Sequence, residues 1–248
     1  MEIIEKAPAK INLGLDVLGK RADGYHELEM VMSSVDLADR LIMEELEEDK
    51  IIIETNKAFL PIDKRNNVYQ AASIVKKRYG INKGILIRIT KNIPVAAGLG
   101  GGSTDCAAAL RGMDRLWQLG LTMPELIDIG MEVGTDVPYC IYGTTAFISG
   151  KGEKVTPLRP MPQCWVVLVK PRLSVSTGKI FQEVDLDQLH HPDIQELSDA
   201  ILAEDYQRMI AAMGNSLESI TIPKHPVVQQ IKERMMKYGA DVALMTGS

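Results

Sequence analysis

No stretch of this 248-residue chain approaches the ~18 consecutive apolar residues a membrane-spanning helix requires, and the longest run, Cys164 to Val169, is closed by Lys170. The opening residues, Met-Glu-Ile-Ile-Glu-Lys, lack the basic stretch and apolar core of a secretory signal, so a cytosolic address is expected. Cysteine is scarce. Cys106, Cys140 and Cys164 are an odd set without CxxC spacing, which argues against a disulfide framework and a structural zinc site and leaves them expected as buried small hydrophobes. Aromatic residues make up 5% of the chain, no basic stripe is present, and 28 Lys plus Arg stand against 33 Asp plus Glu for a net charge of −5. A wide electrostatic footprint for nucleic acid is thereby excluded. Any anion bound by this chain must be gripped locally.

What is present is an ordinary globular composition, 46% hydrophobic and 25% charged, long enough for one large domain or two small ones. Ile11, Leu13, Leu15 and Val17 alternate with Asn12, Gly14 and Asp16, the period of a half-buried strand that puts Lys10 and Asn12 on one polar face. Segments 29–35, 40–46 and 50–55 read as further strands of an antiparallel meander with short acidic links. Residues 67–79 read as a helix stopped by Gly80, and 84–90 as another strand. Helices are expected over 106–119 and from Pro124 to near Gly134, with an extended backbone at Val137 because it precedes Pro138. Strands are expected at 144–148, 164–169 and 241–245, and helices at 177–183, 194–203, 206–213 and 227–238. The Gly-, Pro- and Lys-rich stretch 150–162 predicts a domain boundary near residue 155.

The chemistry concentrates between a strand and a helix, in Pro94-Val-Ala-Ala-Gly98-Leu-Gly100-Gly101-Gly102-Ser103-Thr104-Asp105. Four glycines within five residues expose backbone N–H groups that can converge on an anion at a helix N-terminus. The stretch is neither GxxxxGK[ST], since Gly102 stands where the lysine belongs, nor GxGxxG, since Ser103 stands where the last glycine belongs. Its bland alternative is a turn with Ser103 or Asp105 as N-cap. Lys10, next to Pro8, reads either as a snorkelling lysine or as a fixed cation beside a phosphate or carboxylate. Asp136 reads either as a turn former or as a general base. Tyr25 and His26 suit a planar heterocycle, or simply a loop entering a strand.

Taken together, Pro8-Ala-Lys10-Ile-Asn12-Leu, Gly19-Lys-Arg-Ala-Asp-Gly-Tyr25-His26-Glu-Leu28, the glycine loop and Gly134-Thr-Asp136-Val-Pro138 resemble the GHMP kinase superfamily. The Tyr25–His26 segment with Val175-Ser-Thr177-Gly-Lys-Ile-Phe181 resembles those members that phosphorylate the 2-hydroxyl of a cytidine-diphosphate-linked methylerythritol in non-mevalonate isoprenoid precursor synthesis. The resemblance implies an α+β, two-domain fold, residues 1–155 and an incomplete 156–248, with ATP and substrate in the cleft between the domains. It assigns ATP binding to Pro94, Ala97, Gly98, Leu99, Gly100, Gly101, Gly102, Ser103 and Thr104, and catalysis to Asp136 as base with Lys10 keeping it ionised. It assigns the substrate to Asn12, Tyr25, His26, Thr177 and Phe181, with Tyr25 and Phe181 sandwiching cytosine. Mg²⁺ accompanies ATP and keeps much of its water, so no protein ligand is assigned to it. Thr104 and Cys106 replace the usual serine and alanine, conserving a hydroxyl and a small side chain. The superfamily's third motif, a glycine-serine-glycine loop, is met by the chain's last residues, Gly247-Ser248, so the second domain is expected to lack a helix and a strand. The competing expectations are a GHMP kinase of mevalonate, homoserine or galactose type, and a non-catalytic nucleotide-binding protein.

Overall fold

A computed structural model describes residues 2–173 and 175–247; Ser248, on which the third-motif expectation partly falls, lies outside the described residues. The chain forms two compact units that interleave in sequence: Met1–Ala9, Val35–Val95 and Gly100–Gly143 make the first, and Lys10–Ser34, Ala96–Leu99 and Thr144–Ser248 the second. This division differs from a single cut near residue 155. Strands β1 (Glu2–Lys20) and β2 (His26–Leu46) are long enough for each to contribute to both units.

In the first unit, β3 (Ile51–Thr55) runs parallel to β4 (Gly84–Thr90), which pairs antiparallel with β2 from Arg40↔Thr90 to Leu46↔Gly84. Helix α1 (Asn67–Tyr79) starts where the Asn66 side chain accepts from the Val68 amide and ends on left-handed Gly80, burying Val68, Ala71, Ala72 and Val75. That is the expected element, with both expected ends. Helix α2 (Gly101–Trp117) buries Cys106, three consecutive alanines, Leu110 and Met113, small side chains that let it lie close to its neighbours. Helix α3 (Met123–Val133) is opened by a capping box between Thr122 and Glu125. Helix α4 (Val137–Tyr142) follows at once.

In the second unit, β1 lies between β2 and β7 (Gly214–Asn215), pairing in parallel with β7 at Gly14↔Gly214 and Leu15↔Asn215. Strand β5 (Ala146–Gly150) pairs antiparallel with β2 at Leu28↔Gly150 through Met32↔Ala146 and with β6 (Lys154–Pro157). Helices α5 (Thr177–Gln182), α6 (Ile194–Leu202), α7 (Tyr206–Ala212), α8 (Glu218–Lys224) and α9 (Pro226–Lys237) complete it, with a 3₁₀ turn at Leu186–Gln188. Leu197 and Ile194 of α6 press on Gly14, where a Cβ would come within 2.6 Å of Leu197.

Several expectations are corrected. Segments 29–35 and 40–46 are one strand, and β3 is parallel to β4, so there is no simple meander. The stretch 150–162 contains β6, so its glycines make a hairpin turn, not a linker. Val137 is helical: Asp136 has φ −83° and ψ −12°, and Pro138 sits in the first turn of α4, where no intrahelical N–H donor is needed. Residues 164–169 and 241–245 form no strand; Trp165 is fully exposed, and neither segment has a partner strand among the described residues. Cys106 and Cys140 are buried as expected, whereas Cys164 is exposed with that segment. Gly100, and neither Ser103 nor Asp105 of the bland alternative, is the cap, so α2 begins inside the glycine loop.

Candidate phosphate and nucleotide site

Residues 94–100 form the loop before α2 through which the chain passes from one unit to the other and back. Ala96, Gly98 and Gly100 all have positive φ, at 52°, 70° and 65°, so the backbone repeatedly takes the left-handed region that glycine occupies without cost. Gly100 caps α2 with no side-chain hydrogen bond. The N–H groups of Gly101, Gly102 and Ser103 thus open the helix without a side chain to satisfy them, where orphan donors and the helix dipole attract an anion. Thr104 is not available in the same way. It is buried, and its Oγ1 donates to Pro8 O at 2.7 Å. Ser103 is half-buried and its hydroxyl has no partner among the described residues. Of the two hydroxyl residues, Ser103 is therefore the one still able to meet a ligand.

Asp136 closes this unit's share of the candidate residues. It caps α4 through its backbone only, and its half-buried carboxylate makes no hydrogen bond with a described residue of its unit. A carboxylate with free lone pairs is able to accept a proton. The same unit holds a buried group that the motifs did not reveal: Lys91 Nζ donates to Asp105 Oδ2 at 2.6 Å, pairs with Asp39, and reaches Gly101 O at 3.3 Å. Burial pushes the Asp105 carboxyl up to about 7, opposed by the Lys91 charge and reinforced by the carboxylate of Asp39. Asp39 Oδ2 and Asp105 Oδ1 are both buried without another hydrogen-bond donor.

In the second unit, Lys10 is 5% exposed. Its backbone N–H donates to Leu99 O at 3.1 Å, fixing this strand to the buried Leu99 of the glycine loop, and its Nζ donates to the neutral Asn12 Oδ1 at 2.8 Å. Within its unit the ammonium has no ion-pair partner among the described residues. A buried charge of this kind is costly unless an anion completes it. Asn12 Oδ1 also accepts from Gly247 N at 3.1 Å, and Asn12 N donates to Thr246 Oγ1 at 3.0 Å. The 246–247 segment packs on the loop so tightly that a Cβ on Gly98 would lie 2.1 Å from Thr246 O.

The remaining candidates gather elsewhere in the second unit. His26 and Phe181 rings lie 5.2 Å apart, tilted by 37°. Desolvation, aided by Lys20, pulls the His26 imidazole below its usual value, favouring the neutral ring that can both donate and accept. Tyr25 is half exposed, and Lys151 Nζ stands 4.8 Å from its ring centre, a contact that no motif announced. Thr177 opens the short helix α5 that carries Phe181.

The GHMP kinases N terminal domain model matches residues 66–144, the span from α1 through α4. A 4-diphosphocytidyl-2-C-methyl-D-erythritol kinase from Enterococcus faecalis is 64% identical over the whole chain, which covers 88% of that relative. A kinase of the same name from Bacillus pumilus is 52% identical, again over the whole chain and 86% of the relative. Among solved structures, a 4-(cytidine 5'-diphospho)-2C-methyl-D-erythritol kinase superposes with a TM-score of 0.79 at 29% identity, covering all of this chain and 87% of that one. An L. major mevalonate kinase reaches 0.72 at 18% identity, covering all of this chain and 83% of that one, a likeness of fold alone. The fold is that of a GHMP kinase. Within that class, the chain belongs to the 4-diphosphocytidyl-2-C-methyl-D-erythritol kinase family.

Proposed function

We propose that this chain transfers the γ-phosphoryl group of ATP to the 2-hydroxyl of 4-diphosphocytidyl-2-C-methyl-D-erythritol. The observation that carries the reading is the 64% identity, over every residue, with the Enterococcus faecalis kinase of that name. The chemistry of the site residues supports it. Phosphoryl transfer asks little covalent work of a protein and much positioning and charge stabilisation. The amides of Gly98–Ser103 serve as the cradle for the ATP phosphates, which Pro94, Ala97 and Leu99 shape and Thr104 anchors through Pro8. Asp136 takes the proton of the attacking hydroxyl, and Lys10 supplies positive charge to the developing alkoxide and the transferred group. Tyr25 and Phe181 stack on cytosine, while His26, Asn12 and Thr177 supply polar contacts to the cytidine portion. A Mg²⁺ ion bound with ATP would supply positive charge against the phosphates, and no side chain of this chain is assigned to hold it. The partners are small molecules, and a cytosolic address suits an enzyme that draws on ATP.

A coupled ADP-release assay with the cytidyl substrate, mevalonate, homoserine and galactose tests the reading. Turnover is expected with the cytidyl substrate alone. Turnover with one of the other three, and none with the cytidyl compound, would overturn it in favour of another GHMP kinase. ATP binding without turnover of any substrate would favour a nucleotide-binding protein without catalysis.

A further inference from the structure

We infer that Lys91, held between Asp39 and Asp105, is a positioning residue for the phosphate cradle: it fixes the first turn of α2, and through it the amides that meet ATP. The inference rests on the kinase reading above and adds three residues to it. The geometry is a chain of short bonds. Asp39, in β2, accepts from the backbone N–H of Asn92 at 2.6 Å and of Ile93 at 2.8 Å, which fixes the stretch that leads into the glycine loop. The same carboxylate pairs with Lys91, whose ammonium donates to Asp105 Oδ2 and to the carbonyl of Gly101, the first residue of α2. Gly101 is confined from the same side, since a Cβ there would lie 3.3 Å from both Lys91 Nζ and Ile93 Cγ2. One lysine therefore ties a strand, the entrance of the loop and the start of the helix together.

Stability alone does not account for this arrangement. Lys91 and Asp39 are almost wholly buried, with side chains 4% and 0% exposed, and Asp105 is 6% exposed. A buried ionic cluster is usually no more stabilising than a well-packed apolar one of the same volume. What it adds is direction, because each bond fixes one atom against another and an apolar cluster would not. Here the atom fixed is a carbonyl in the turn whose N–H groups face the ligand, and misplacing a positioning group by about 1 Å can cost on the order of a hundredfold.

Asp105→Ala, Asp105→Asn and Lys91→Met, made in the full chain, test the inference by direct titration with ATP, by KM for each substrate with kcat, and by thermal midpoint. Asp105→Ala keeps a neutral Lys91–Asp39 pair but frees the ammonium from α2. It is expected to weaken ATP binding and raise KM for ATP by about tenfold or more, while KM for the cytidyl substrate changes by less than about threefold. Asp105→Asn keeps an oxygen for Lys91 and an N–H for Asp39, and should restore ATP affinity. Lys91→Met should weaken ATP at least as much as Asp105→Ala; if it fails to fold, the Asp105 pair decides. A folded Asp105→Ala protein with wild-type ATP affinity would overturn the inference, as would an asparagine variant as weak as the alanine one, or a fall in kcat with KM unchanged that follows the folded fraction. Because ATP titration needs no acceptor, a wild-type chain inactive on the cytidyl substrate would defeat the kinase reading and leave the positioning role to be judged by affinity.

Discussion

Two lysines in this chain are equally buried and could hardly be treated more differently. Lys91 has two carboxylates and a carbonyl around it; Lys10 has the oxygen of one neutral amide. Both are 5% exposed, so solvent does not make the difference. Neutralising a buried cation within its own unit makes it part of the framework, whereas a cation left without a counter-charge there, among the described residues, is costly until an anion completes it. Burial by itself therefore does not separate a structural charge from a functional one. The partners do.

The largest effect expected from breaking this division falls on Asp136, the carboxylate left open as Lys10 is. Asp136→Asn preserves shape and removes basicity, and general-base catalysis is worth about 10² to 10⁴-fold, so kcat should fall in that range with ATP affinity little changed. Turnover near the wild-type rate would remove Asp136 from the role of base.

Legibility in the sequence divides along similar lines. Helix α1 and strand β4 were readable end to end because their signals are local: one apolar face with a glycine stop, and a clean alternation of Ile85, Ile87 and Ile89. The acidic stretch Asp36 to Asp39 reads as a link between strands, yet β2 runs through it. Asp39 finds its partners at Lys91, Asn92 and Ile93, more than fifty residues away, and no local pattern contains them. The strand expected at 164–169 failed for the converse reason, since a short apolar run makes a strand only beside a partner, and it has none among the described residues. Of the site, the glycine loop, Lys10 and Asp136 were legible as motifs. The cap at Gly100, the engagement of Thr104 with Pro8 and the placement of Lys151 over Tyr25 are three-dimensional facts that spacing does not encode.

A smaller effect is expected at the rings proposed to stack on the cytidyl base. Stacking of a base on an aromatic is worth about 1 to 3 kcal/mol on alanine substitution, so Phe181→Ala should raise KM for the cytidyl substrate about 5 to 150-fold with KM for ATP nearly constant. Equal damage to both substrates would make the ring a support for His26 and α5 only.

Another effect sharpens the Lys91 side of the comparison. Asp105 keeps its proton in the folded chain up to about pH 7, whereas its ordinary value is 3.8. Between those limits the folded state binds more protons than the unfolded chain, so its contribution to stability must fall as pH rises across that window, by at most about 1.4 kcal/mol per pH unit for one proton. Chemical denaturation of wild type and Asp105→Asn at several pH values measures it. The asparagine variant should lose that part of the slope, and identical slopes would mean that Asp105 releases its proton in the ordinary acid range.

The most direct test of the distinction itself is to remove each lysine in turn, as Lys10→Met and Lys91→Met, and to measure thermal midpoint and kcat on the same samples. Lys10→Met should keep or raise the midpoint, because an uncompensated buried charge has gone, while turnover falls by about a hundredfold or more. Lys91→Met leaves the Asp39–Asp105 pair buried without its cation and should lose about 3 to 5 kcal/mol of stability. A Lys10→Met protein that melts as early as the Lys91→Met protein, with activity lost only in proportion to its unfolded fraction, would contradict the account.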